Sequence, residues 1–456
     1  MKLTKDINYS IVIFFSIFLI FMDAYEFFSI PVSWIGMSLL FLISLFEYKD
    51  LFNENVKHIL IIAMSIVLIP QIFYLLFFES TNSDLSYIFL RIYNLVSFVF
   101  VLFFTINYLQ KENLNLFFKF TRYFIFIFSV ATIYIFLAQI FDLYEPLRNR
   151  SNTNIYGESV QSIFWLSEPH RAMGTFREPV FLVTFFFPII LLYLYNTKEK
   201  NIIISIVAGI ALGLTRSNYL KLFCIIFLAF LIIEYLLKKK LKVEFFIFFT
   251  LIIIFSTFGV FECNLNPESK ECIEYEEDVE NINSSGEIRI DSNLDEPVVE
   301  LGNDRLNVIK YFLTSVKFIN PGSFSTVNSD YQSYSSQKVN EEMYFSNRTL
   351  PKYLLQRYST QNFGTGNYSL TKYKINVQNL FVFYTQALGI IFPLFLFISI
   401  MHFLYIKKIN LKSSFLILII LFFFVSPIEE VNSYYGLIIG LTYNFLFKDR
   451  IIYDEI

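Results

Sequence analysis

Long apolar runs separated by short polar breaks make up most of this chain. A helix needs about 17–25 apolar residues to cross a hydrocarbon core about 30 Å thick. Runs of that kind predict spans at 9–28, 30–46, 58–78, 85–109, 120–140, 179–196, 201–215, 218–237, 243–261, 379–406, 413–427 and 431–447. The run at 201–215 is short, and a tight turn follows it. The chain opens with MKLTKDINYSIVIFFSIFLIF, a basic head and an apolar stretch like a secretory signal. It lacks a small-residue cleavage site and a second apolar run follows at once, so it reads as a retained first helix. No repeat with the period of a solenoid or propeller is visible.

The expected fold class is an all-α polytopic membrane protein with about twelve transmembrane helices. Five of them fall in 1–140, four in 179–261 and three in 379–456. A first polar connection, 141–178, precedes the sixth helix, and a large one, 262–378, lies between the ninth and tenth. Composition supports this reading. Of 456 residues, 55% are hydrophobic and 16% charged, and the 58 Phe are more than one small water-soluble core could hide. The net charge of −3 names no partner, and no nucleic-acid partner is expected.

Lys and Arg fix the expected orientation, because cytoplasmic connections carry them in excess. They crowd both tails and the connections near 47–57, 110–122, 197–200, 238–242 and 407–412, with Lys238, Lys239, Lys240 and Lys242 in one cluster. The short connections near 29, 79–84 and 428–430 hold none. Both termini are therefore expected inside (N-in, C-in), and 141–178 and 262–378 outside. The outer segment 262–378 is acidic in its first half and rich in Tyr, Ser and Asn in its second. Its LNVIKYFLTSVKFI stretch has helical spacing. Cys263 and Cys272 lie close together at its start, and either a disulfide or two free thiols fits an oxidising compartment. Cys224, inside a span, reads as packing. With three His and no CxxC spacing, no metal site is expected.

The first outer connection ends in SEPHRAMGTFREPVFL, which offers Glu168, His170, Arg171, Arg177 and Glu178 just before the sixth span. Two guanidiniums beside a helix start suit a phosphate or pyrophosphate, by fork geometry and by the helix dipole. Glu178 followed by Pro179 also fits a plain helix start with Pro in the first turn, in a charged loop that only anchors a helix. Arg216, in the turn GLTRSNYLK, stands on the outer side against the charge trend, either snorkelling or contacting a ligand. Asp23 and Glu26 are three residues apart, on one face of the first helix near its outer end. Arg91 lies about two turns into the fourth span. Such groups are expected in an internal ion pair or, alternatively, at a substrate. Glu429 and Glu430 occupy the outer turn before the last helix. These groups gather at the outer ends of the helices, and a polar pathway at the midplane, as a transporter would need, is not evident.

At these residues the chain resembles the O-antigen polymerase and ligase superfamily of membrane glycosyltransferases. Arg171, Gly174, Glu178 and Pro179 resemble the family's Arg, Gly and Glu-Pro helix opening. Leu214, Thr215, Arg216 and Ser217, followed by Tyr219, are similar to its Arg-bearing turn. Arg305 with Pro321 and Gly322 looks like its loop helix, and Asn379 with Gly389 like the start of its next span. Gln378 stands where many members have His, a departure that favours polymerase over ligase and leaves the general base open. The resemblance implies an enzyme that joins oligosaccharide units carried on undecaprenyl diphosphate, at the periplasmic face of a bacterial inner membrane. Because the lipid diphosphate is its own activated leaving group, neither nucleotide sugar nor metal is implied, and a chain-length regulator is a conceivable partner. Arg171, Arg177, Arg216 and Arg305 would hold the pyrophosphate, with Asn379 and Arg91 as further contacts. Glu178, or else His170, would take the acceptor proton. O-antigen ligase is the nearest alternative and a transporter or flippase the more distant one.

Overall fold

The computed structural model describes residues 2–28, 30–46, 82–108, 112–140, 143–144, 171–196, 201–238, 243–257, 380, 384, 391–407, 411–426 and 431–447. The expected span at 58–78 and the segment 262–378, with both of its cysteines, lie outside them. The protein is mostly helical. The helices, numbered in chain order among the described residues, are α1 Lys2–Ile20, α2 Val32–Phe46, α3 Asn82–Tyr108, α4 Glu112–Ile140, α5 Pro179–Asn196, α6 Ile202–Gly213, α7 Asn218–Lys238, α8 Val243–Thr257, α9 Ile391–Lys407, α10 Leu411–Val425 and α11 Ser433–Phe447. Among the described residues, α3, α4, α5 and α7 each hold a stretch long and apolar enough to cross a membrane.

Both faces of these helices are apolar. On α4, Phe117, Phe118, Phe124, Ile125, Phe128 and Ile135 are buried, while Tyr123, Ile127, Val130, Tyr134 and Leu137 are exposed. The outward stripe of α7 is Leu222, Ile225, Ile226, Ile232, Ile233 and Leu236. Water penalises contiguous exposed apolar surface of this kind, whereas lipid requires it. The helix α5 is the centre of the bundle: 78% of its span is buried, against 28% for α7. Around it Phe187 meets Phe227, Phe248, Phe249 and Phe422, and Phe21 meets Phe124, Phe128, Phe176 and Phe186.

Since lipid is as apolar as Leu, helices associate here by close approach and by polar contacts. Gly209 and Gly213 of α6 abut α8, where a Cβ on Gly213 would come within 2.6 Å of the Phe255 Cβ. Gly436 and Gly440 of α11 abut α3, where a Cβ on Gly440 would lie 2.7 Å from the Thr105 Cβ. Asn444 on α11 donates to the Thr105 carbonyl at 2.5 Å, and the Ser433 hydroxyl to the Met37 carbonyl of α2 at 2.8 Å. Inside helices, the hydroxyls of Ser16, Thr105, Thr121, Thr132 and Thr442 donate to the carbonyl four residues back, which satisfies them without water.

The first helix differs from expectation. It ends at Ile20, not near 28, and the chain turns through 21–25 into a two-residue hairpin, β1 Glu26–Phe27 with β2 Ile30–Pro31. Asp23 and Glu26 therefore do not share a helix face: Asp23 is buried in the turn, and Glu26 is an exposed strand residue. The helix can stop there because another segment takes over its hydrogen bonds, as described below.

The glycine contacts predict a test. Gly440→Leu and Gly213→Leu should each lower the thermal midpoint of the detergent-purified protein, since overpacking costs about 1–3 kcal/mol. Ile127→Ala, at an outward position, should leave it nearly unchanged.

Candidate functional site

The loop 171–178 is tied down at both ends. At its start the Ala172 N–H donates to the Leu214 carbonyl at 2.9 Å, and Arg171 Nε donates to the Thr215 carbonyl at 2.9 Å. Further along, the Ala24 N–H donates to the Thr175 carbonyl at 2.9 Å, and the Thr175 hydroxyl donates to the Phe21 carbonyl. Arg177 then grips Asp23, with Nε on Oδ2 and a terminal nitrogen on Oδ1, each at 3.3 Å. The Ser33 hydroxyl donates to the same Oδ1 at 2.7 Å. The loop thus joins the turn after α1 to the turn after α6. Gly174 sits at its middle with φ +57, where a Cβ would lie 2.9 Å from the Thr132 hydroxyl oxygen. Left-handed backbone and lack of room both call for glycine there. Phe176 is buried beneath the loop, stacked on Phe185 at 5.7 Å.

The second tied segment carries Arg216, at φ 51. A non-glycine residue rarely adopts this conformation, and such strain concentrates at sites with a job to do. The turn is closed by the Arg216 N–H on the Gly213 carbonyl at 3.0 Å and by the Thr215 hydroxyl on the Leu212 carbonyl at 2.6 Å. Ser217 then starts α7, its hydroxyl accepting from the Leu220 N–H at 3.5 Å. One turn into that helix is Lys221, on which the charges of both Arg216 and Arg171 act. Arg171, bonded to the carbonyl next to Arg216, thus brings a guanidinium from a distant segment to the turn that opens α7, whose first amides add positive potential. Lys221 was not singled out from sequence. The signal was present, because it breaks the charge trend as Arg216 does, at the end of an apolar span away from the lysine cluster.

A layer of hydroxyls adjoins the first turn of α7. Thr184 of α5 and Ser426, just after α10, are 3.2 Å apart, and Ser426 is 3.5 Å from the Tyr435 hydroxyl of α11. The Tyr219 hydroxyl joins them and donates to the Phe422 carbonyl at 3.2 Å. Pro188 removes the amide that would close on the Thr184 carbonyl, and one residue on the Tyr434 hydroxyl donates to the Phe185 carbonyl. A side chain from α11 thus supplies a hydrogen bond beside the break in the ladder of α5.

Of the sequence-predicted residues, Arg171 and Arg216 come together, and Arg177 is engaged by Asp23. Glu178 sits half-buried just before α5, its carbonyl accepting from the Phe181 and Leu182 amides at 3.1 and 3.3 Å. That is the helix-start position the sequence implied. Arg91 is buried, at 6% exposure, in α3. His170, Arg305, Asn379, Glu168, Gln378, Glu429 and Glu430 lie outside the described residues.

No protein-family model matches the chain, and no curated protein or solved structure matches it either.

The ion pair predicts non-additivity. Asp23→Asn and Arg177→Gln should each lower the thermal midpoint, and the double variant should be little worse than the poorer single one. Such pairs couple by about 0.5–3 kcal/mol. Strictly additive midpoint shifts would contradict the pairing.

Proposed function

We propose that this protein is a polytopic membrane glycosyltransferase that polymerises oligosaccharide units carried on undecaprenyl diphosphate into a surface polysaccharide such as O-antigen. It would work at the periplasmic face of a bacterial inner membrane, with about twelve spans, both termini cytoplasmic and the segment 262–378 outside. The observation that carries this reading is the meeting of Arg171 with the Arg216 turn at the start of α7, one helical turn before Lys221, on turns locked by hydrogen bonds. A lipid diphosphate is an anion held at a membrane boundary, and preorganised guanidiniums suit it. The resemblance of the two turns to the Arg-bearing motifs of the polymerase superfamily supports the same reading.

In the proposed reaction the acceptor sugar's hydroxyl oxygen bonds to the anomeric carbon of the growing chain as that carbon's bond to the diphosphate breaks. Glu178, or else His170, takes the hydroxyl proton. Arg171, Arg216 and Lys221 hold the charge that develops on the departing diphosphate, and Arg305 would join them from the outer segment. One such contact is worth about 3 kcal/mol in the transition state, on the order of a hundredfold in rate. Arg177, held by Asp23, would orient the loop more than bind the anion. Asn379 and Arg91 would serve as polar contacts to the sugars.

Deleting the gene tests the proposal. Loss of a polymerase leaves unit synthesis, flipping and ligation intact, so surface cores should carry one repeat unit each. Bare cores with long polymer stranded on its lipid carrier would replace this reading with that of a ligase. Single lipid-linked units trapped inside the cell would replace it with a flippase.

A further inference from the structure

The hairpin β1–β2 projects next to Asp23, and its side chains are unusually bare. Phe28 is 86% exposed, Phe27 61% and Ile30 48%, and the two Phe rings stack edge to face at 4.6 Å. Trp34, in the first turn of α2, is half exposed. The Phe28 backbone has φ 50, a region that bulky residues seldom adopt, and it supports the most exposed of these rings. The hairpin itself is well fixed, by the antiparallel pairs Glu26 with Pro31 and Phe27 with Ile30 and by the Val32 N–H on the Tyr25 carbonyl at 2.9 Å.

The apolar stretches of the helices below it are short. The apolar run of α1 begins only after Asp6, and 7–20 rises about 21 Å; α2, followed in sequence by Glu47, rises about 22 Å, against a hydrocarbon core of about 30 Å. If the hairpin stood in water, this helix pair would fall several ångströms short of the lipid it faces. The outward residues below it, Ile11, Phe15 and Phe18 on α1 and Leu42 and Phe46 on α2, are all exposed and apolar. The hairpin rings extend that same surface upward.

We propose that the β1–β2 hairpin is immersed in the membrane, with Phe27, Phe28 and Ile30 docked among lipid acyl chains at the same end of the bundle as the cation cluster. It completes the apolar height of the α1–α2 pair and sets the depth of the Asp23–Arg177 pair at the boundary between acyl chains and headgroups. That depth explains why Asp23 is buried, capped by Ser33 and matched by a guanidinium. The inference rests on the membrane-spanning reading and not on the chemistry proposed above.

The chain has two Trp, so the test is clean. In the full-length protein with Trp34→Phe and Trp165→Phe, Phe28→Trp supplies a single emitter, reconstituted in phosphatidylcholine vesicles. A second variant, Trp165→Phe alone, reads natural Trp34 and guards against misfolding of the first. Acyl chains brominated near the headgroup should quench most of the emission of Trp introduced at 28, and aqueous iodide should quench little. Strong iodide quenching without bromine quenching would overturn the proposal in favour of a solvated hairpin. Insensitivity to both would overturn it equally, since the rings would then be covered by another part of this chain.

Discussion

Backbone that leaves a helix at the edge of an apolar medium has no water to fall back on, and here it finds other backbone. The Ala24 N–H on Thr175 and the Ala172 N–H on Leu214 are the bonds on which the candidate site depends. Each unsatisfied amide in such surroundings costs several kcal/mol, so irregular turns persist only where they satisfy one another. The same two bonds bring residues separated by many helices to one end of the bundle. The arginines of 171–178 and 214–217 are then fixed by the chain's own need for hydrogen bonds, before any ligand arrives.

The bundle below obeys a related rule. Aromatic packing around α5 fills its centre, but apolar area alone does not distinguish a neighbouring helix from lipid. The distinction comes from the glycine pairs of α6 and α11, which let backbones approach, and from Asn444, Ser433 and the hydroxyl layer of Thr184, Ser426 and Tyr435, which lipid cannot match. Through Tyr219 that layer reaches the first turn of α7. Polar groups thus concentrate where the helices end, and the outer faces of α4 and α7 stay apolar.

Much of this was legible in the sequence, for identifiable reasons. Apolar runs locate helices because lipid length is a strong constraint, and each described helix falls on a predicted span. Helix ends were less legible, as α1 shows: nothing local in FMDAYEFF stops a helix, and the stop comes from Thr175 and Arg177, far away in the chain. The prominence of Arg171 and Arg216 could be read from charge standing where lysine and arginine are otherwise scarce. Asp23's partner could not, because pairing is a tertiary fact. Lys221 obeyed the rule that exposed Arg216, yet it was masked by the apolar helix around it. The glycine spacings in AGIALG and YGLIIGL are a further sequence signal of close helix contact.

If the tied turns form a preorganised oxyanion site, they should bind a free oxyanion, which titration calorimetry measures without a polymer assay. Inorganic pyrophosphate is titrated into the detergent-purified full-length protein at low and at high salt. Binding should weaken with salt, and Arg171→Ala, Arg216→Ala and Lys221→Ala should each reduce it about tenfold or more, as loss of a charge-assisted contact does. Arg122→Ala, on α4, should bind like the unmodified protein. Absence of binding, or equal affinity in all of these variants, would contradict such a site.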